Sequence, residues 1–109
     1  MTVLMPVDLF RDGDTYVLTA DLPGVDPASI DVDVDGRVLT VRAERSTRDR
    51  EGVKWMAGER PSGSFARRFT LSDGIATESI SANYDNGVLS VSIPVSERAK
   101  PRKVEVVAA

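Results

Sequence analysis

Apolar and polar residues alternate with a period of two along most of this chain, and the alternation is broken every few residues by Gly, Pro, Asn or Asp. That pattern places successive side chains on opposite faces of an extended strand. Val7-Asp8-Leu9-Phe10 leads into a turn at Arg11-Asp12-Gly13-Asp14, and Thr15 to Asp21 forms a second strand stopped by Pro23-Gly24. Ile30 to Val34 alternates strictly up to Asp35-Gly36, a favoured two-residue hairpin turn, and Arg37 to Ala43 returns antiparallel. Phe65 to Leu71 and Ile80 to Tyr84 add further strands. Asn86-Gly87 is a second hairpin signal, answered by Val88 to Ile93 ahead of Pro94. No amphipathic helix is visible, and Pro27-Ala28-Ser29 allows one short turn at most. Short strands at this spacing predict an all-β, antiparallel sandwich.

A chain of 109 residues supports one domain with a single core. It contains no cysteine, which removes disulfides, thiolate nucleophiles and thiolate zinc sites, and no histidine, which removes Ser–His–Asp catalysis and the common zinc and haem ligands. Its 14 basic and 17 acidic residues leave a net charge of −3, against the basic excess of nucleic-acid binders. No GxxxxGK[ST] loop is present for ATP. No apolar run approaches the ~20 residues of a membrane span. The opening MTVLMPVDLF lacks the charge and apolar run of a secretion signal. The expectation is a cytoplasmic protein without cofactor, nucleic acid or membrane partner.

Two ideas for chemistry can be weighed on the residues. Asp31, Asp33, Asp35 and Gly36 match the start of a calcium-binding EF-hand loop, and Val38 fits its apolar position. The twelfth position, which requires a bidentate Glu, is Arg42, and the flanks alternate as strands where an EF-hand needs helices. The aspartates therefore read as the solvent face of a strand. A glycosidase-like pair drawn from Asp31, Asp33, Asp85 and Glu59 has no more support, because acidic residues at turns and strand faces are ordinary.

Two segments resist the plain sandwich reading. Residues 46–63 are long and charged, yet hold Val53, Trp55 and Met56 in their middle. Connectors of more than ~12–15 residues are usually functional or disordered; this one reads as carrying a strand that pairs outside its own sheet and packs on a partner subunit. The tail, residues 96–109, is polar and Pro-broken, then ends in Val104-Glu105-Val106-Val107. With a period of two, Val104 and Val106 point the same way, as two knobs that can add to an open sheet edge. Arg67 and Arg68 fall on opposite faces of their strand, one solvated and the other paired with an acidic residue.

These residues together resemble the small heat-shock proteins of bacterial type. Ala82-Asn83-Tyr84-Asp85-Asn86-Gly87-Val88-Leu89 is similar to the A-x-x-x-x-G-V-L signature of the α-crystallin domain, and Asp21-Leu22-Pro23-Gly24-Val25 to the family's DLPG turn. Glu59 to Phe69 resembles the E-R-x-x-G-x-F-x-R-x-F segment, and Pro101 to Val106 the tail ending in I/V-x-I/V. Ser72 stands where the family usually has Pro. The motifs occur in the family's order and cover nearly the whole chain.

The resemblance implies an immunoglobulin-like β-sandwich with a strand-exchange loop, acting as an ATP-independent holdase that limits aggregation of unfolding proteins. It divides the chain into a short N-terminal arm (1–5), where members carry a longer apolar extension, a domain (6–95) with its dimerisation loop (46–63), and a flexible tail (96–109). It implies that Val53, Trp55 and Met56 cross to the partner's sheet, with Arg67 or Arg68 at the dimer interface. The tail's Val104 and Val106 would dock in a groove of a neighbouring dimer, formed by Ile30, Val32 and Val34 on one edge and Ile80, Ala82 and Tyr84 on the other. Pro23, Gly24, Gly36 and Gly87 serve as structural turns. The partners implied are other copies of the chain and unfolding clients. A binding or co-chaperone module with one fixed partner is the alternative on the same sandwich.

Overall fold

The computed structural model describes residues 2–3, 5–46, 50–72, 74–96 and 104–108. Among them, eight strands form two four-stranded sheets. One sheet runs in the order β1 (Thr2–Val3), β6 (Gly63–Thr70), β5 (Val38–Arg45), β4 (Asp31–Asp35). The other runs β2 (Val7–Asp12), β3 (Thr15–Asp21), β8 (Val88–Pro94), β7 (Ser81–Asp85). All pairings are antiparallel except β1 beside β6. Two single 3₁₀ turns, Pro27–Ser29 and Thr77–Ser79, lead into β4 and β7. Asp26 caps the first of these, accepting from the Ala28 N–H at 3.0 Å.

The alternation read in the sequence becomes the core. Leu39, Val41 and Ala43 of β5 are buried with Leu18 and Ala20 of β3 and with Leu89, Val91 and Ile93 of β8. Burying a side chain of this size stabilises the fold by about 1.5–3 kcal/mol, so the inner pairs β3–β8 and β5–β6 carry the sandwich and the outer strands depend on them. Residues 1–5, expected as an arm ahead of the domain, are partly built into it. Thr2 and Val3 pair with Ser64 and Phe65, and the Met5 side chain is buried in the core. An apolar residue two positions ahead of the outer strand β2 gains more from the open end of the core than from water.

Two of the three hairpins, β4–β5 and β7–β8, differ in their turn chemistry. Asp35 pairs with Val38, so the loop consists of Gly36 and Arg37, one residue later than the Asp35-Gly36 expectation. Only Gly36 has a positive φ (60°) there, the pattern of a type II′ turn. Asn86 and Gly87 both have positive φ (52° and 77°), as a type I′ turn requires. Gly87 has a second reason to be glycine. Its carbonyl accepts from the Leu22 N–H at 2.7 Å, and a Cβ on it would lie 3.2 Å from Pro23 Cα. The G-V-L and D-L-P-G motifs are thus one contact. Gly87→Ala combines a left-handed backbone with a backbone clash and is expected to cost about 2 kcal/mol, lowering the thermal midpoint by about 10 °C. Asn86→Gly, which keeps the turn and adds no atom, should leave the midpoint within ~2 °C in the same calorimetric scan.

Candidate functional site

The outer strands β4 and β7 belong to different sheets and border one groove of about 340 Å³. Val32 and Val34 line it from β4, and Thr77, Ile80, Ser81 and Ala82 from the β7 side. The strict alternation of β4 makes this possible: Asp31, Asp33 and Asp35 are exposed, while Val32 and Val34 between them turn partly inward. Each bordering strand has a neighbour on one side only, so its other side offers unpaired backbone N–H and C=O groups. Of the residues expected here, Val32, Val34, Ile80 and Ala82 line the groove. Ile30 and Tyr84 instead pack against the core. The Tyr84 hydroxyl donates to the Leu22 carbonyl at 2.6 Å, which ties β7 to the turn after β3. Thr77 and Ser81 escaped the sequence reading because nothing polar in an apolar pattern marks a groove wall.

On the far side of the second sheet, β2 is also an outer strand. Leu9 and Phe10 are 42% and 48% exposed on it, although both are large and apolar. Leu9 pairs with the buried Leu18 and Phe10 with Val17, so they lie on opposite faces, and neither face of β2 is well covered. The signal was present in the sequence, since two adjacent apolar residues cannot both point inward from a strand.

The connector after β5 makes no strand within this chain over residues 50–62, and residues 50–61 are all exposed. Val53 is 46%, Trp55 51% and Met56 91% exposed. Thr47 to Asp49 of the expected loop lie outside the described residues. In the tail, Val104 and Val106 are 82% and 90% exposed and therefore cover nothing on their own domain. Pro101 to Lys103 of the tail motif, like residues 97–100 and 109, lie outside the described residues.

The two arginines separate by register. Arg67 pairs with the buried Val41 and so lies on the inner face of β6; Arg68 pairs with Thr40 on the outer face. Arg67 donates from Nη1 to the Met5 carbonyl at 3.1 Å and sits 5.0 Å from the Phe69 ring centroid. The expected acidic partner is absent from these contacts: among the described residues the ion pairs are Arg11–Asp14 and Arg42–Asp31. A carbonyl and an aromatic face satisfy Arg67 because its inward position meets backbone and core rather than the acidic surface.

Calcium is answered by the same register. Asp31 stands directly opposite Arg42, and the two approach to 3.9 Å, so the cation that breaks the EF-hand pattern neutralises its first carboxylate. Alternate residues of a strand lie ~6–7 Å apart, which keeps Asp31, Asp33 and Asp35 from converging. No group of three or more His, Cys, Asp or Glu side chains among the described residues could hold a metal.

The two-sheet sandwich superposes on solved small heat-shock proteins. It superposes on one from Xylella fastidiosa with a TM-score of 0.79 at 38% identity, covering 95% of this chain and 96% of that one. It also matches heat shock protein 16.0 of Schizosaccharomyces pombe, with a TM-score of 0.80 at 28% identity over 97% of this chain and 99% of the other. Residues 8–107 match the model of the Hsp20/alpha crystallin family. The 18 kDa heat shock protein of Streptomyces albus G is 50% identical over 103 residues, which are 94% of this chain and 72% of that protein. The 18 kDa antigen 2 of Mycobacterium avium is likewise 50% identical over 103 residues, 94% of this chain and 74% of that protein. The chain belongs to the Hsp20/alpha crystallin family. It is a small heat-shock protein, an ATP-independent chaperone.

Proposed function

We propose that the groove between β4 and β7 is the site where this chaperone holds extended apolar segments, those of unfolding clients and the Val104–Val106 tail of a second copy alike. One observation carries the reading: a groove lined by Val32, Val34, Ile80 and Ala82, with Thr77 and Ser81 adding polar wall, lies between two strands that each stand at the edge of a sheet. A partly unfolded protein exposes the matching features, apolar side chains and unpaired backbone. A strand laid in the groove can satisfy both at once, with alternate side chains directed inward. The tail has this form, because Val104 and Val106 share a face while Glu105 points away. Competition between tail and client then regulates access, and many weak sites in one oligomer act together.

The dimer is assigned to the other side of the sandwich. With β4 and β7 committed to the groove and β1 only two residues long, β2 is the long open edge that remains. Its exposed Leu9 and Phe10 match the exposed Val53, Trp55 and Met56 of the connector, which a second copy can supply as an exchanged strand. Arg67, anchored to Met5 just ahead of β2, is the interface arginine in this arrangement, and Arg68 stays on the outer sheet face. Nothing here calls for catalysis. In this reading the protein works by binding alone, without nucleic acid or cofactor, and acts in the cytosol. Among the described residues no helix is long and apolar enough to cross a membrane.

The test is light scattering of two unrelated heat-stressed clients, without nucleotide. Aggregation of both should slow at near-equimolar chaperone, and Val34→Asp with Ala82→Asp should abolish most of the effect while the fold persists. Suppression confined to one folded partner would favour the fixed-partner module. Full activity of the groove variant would place client binding elsewhere.

A further inference from the structure

The connector leaves the sandwich after Arg45, the last residue of β5, and returns at Gly63, the first of β6. Arg45 is not spent on a carboxylate. Its Nε donates to the Pro23 carbonyl at 3.0 Å, and its Nη1 donates to the Pro61 carbonyl at 3.1 Å. The guanidinium also lies 4.9 Å from the Phe65 ring centroid. One side chain at the point of departure therefore holds the returning end of the connector and a turn that belongs to the other sheet.

That turn is a firm anchor. On its far side Leu22 donates to the Gly87 carbonyl, Tyr84 donates to the Leu22 carbonyl, and Gly87 packs against Pro23. The base of the connector lies where β5 ends and β6 begins, with Arg45 paired to Gly63 and stacked over the buried Phe65. A polar cleft of about 330 Å³ opens there, lined by Asp26, Ser29, Glu44, Arg45, Gly63 and Ser64 among others. The β5–β6 ladder fixes where the connector leaves and returns. The Arg45 side chain adds a link from Pro61 to the Pro23 turn, which the Arg60 guanidinium also approaches at Gly24.

We infer that Arg45 is a positioning residue for dimer formation: by tying Pro61 to the Pro23 turn it aims the connector so that Val53, Trp55 and Met56 reach the β2 edge of a second copy. The inference rests on the strand-exchange reading above. Its physical basis is pre-organisation. A connector already directed at its target loses less conformational freedom when it docks, and the gain appears in the association constant rather than in the fold. Charge-assisted bonds to two carbonyls in one planar fork suit arginine and are not reproduced by residues that lack the fork.

The experiment compares full-length wild type, Arg45→Met and Trp55→Ala/Met56→Ala by sedimentation velocity over a dilution series, with hydrogen exchange on the same samples. Arg45→Met keeps an apolar stem over Phe65 and removes the donors. It should raise the dimer dissociation constant about tenfold and speed exchange at residues 50–62, with β3, β5 and β8 amides still protected. Arg45→Lys should recover part of the affinity. A dissociation constant within twofold of wild type for Arg45→Met, while the connector variant is monomeric, overturns the role of Arg45 and leaves strand exchange standing. A connector variant that stays dimeric overturns strand exchange itself, and this inference with it. If Arg45→Met loses core protection, Arg45→Gln, which can reach at most one carbonyl, is judged by the same twofold criterion.

Discussion

Replacing Val104 and Val106 together with glycine is expected to reduce the assembly to dimers without unfolding the sandwich. Both side chains are almost fully exposed in the single chain, so nothing in the domain depends on them. Docked in a groove, each buried valine contributes about 2 kcal/mol. Glycine removes that contribution and adds freedom to the undocked tail. Against the ordering cost of a flexible segment, the net loss should still weaken each tail–groove contact about 100-fold. Repetition around an oligomer multiplies the effect, since every subunit loses the same link. Native mass spectrometry and light scattering read the result directly. An unchanged oligomer mass, with circular dichroism also unchanged, would refute the assignment of the tail to the groove.

The second large effect is expected at the connector. Trp55→Ala with Met56→Ala removes the two largest apolar side chains of residues 50–62, where Trp55 is half-exposed and Met56 91% exposed in the single chain. Buried anchors of this kind are worth about 2–4 kcal/mol each at a protein interface. The double variant should therefore shift dimers to monomers at micromolar concentration. Leu9→Lys with Phe10→Lys should do the same from the acceptor side, because it places charge along the open edge of β2. A monomer from the connector variant and a dimer from the edge variant would show that another surface receives the strand. The two predictions separate two interfaces on opposite sides of one sandwich: loss of the tail leaves dimers, and loss of the connector leaves monomers.

The strand content of the fold was legible because period-two alternation and turn residues are local facts. Val32 and Val34 could be assigned to an inner face from the run "DVDVD" alone, and Arg42 excluded calcium from its position twelve residues into the loop pattern. Other features were not legible, each for a reason of geometry. Tyr84 shares its strand face with Ile80 and Ala82, yet its hydroxyl is long enough to reach the Leu22 carbonyl, so it secures the groove from behind. Met5 reads as the end of an arm until the two sheets close over it. Arg67 and Arg68 are identical in the sequence, and only the pairing with Val41 and Thr40 tells inner from outer.

The sequence by itself determined the main strands, the approximate place of the turns between them, the absence of histidine and cysteine, and the two apolar segments with no place in their own core. Alternation and composition are properties of neighbours along the chain, and they need no tertiary contact to be read. Only the tertiary structure decided which strands stand at the edges, that β4 and β7 from different sheets border one groove, and that Arg45 joins Pro23 to Pro61 across the base of the connector. Those relations depend on how one sheet lies over the other. Residues far apart in the chain meet there, and no local pattern records the meeting.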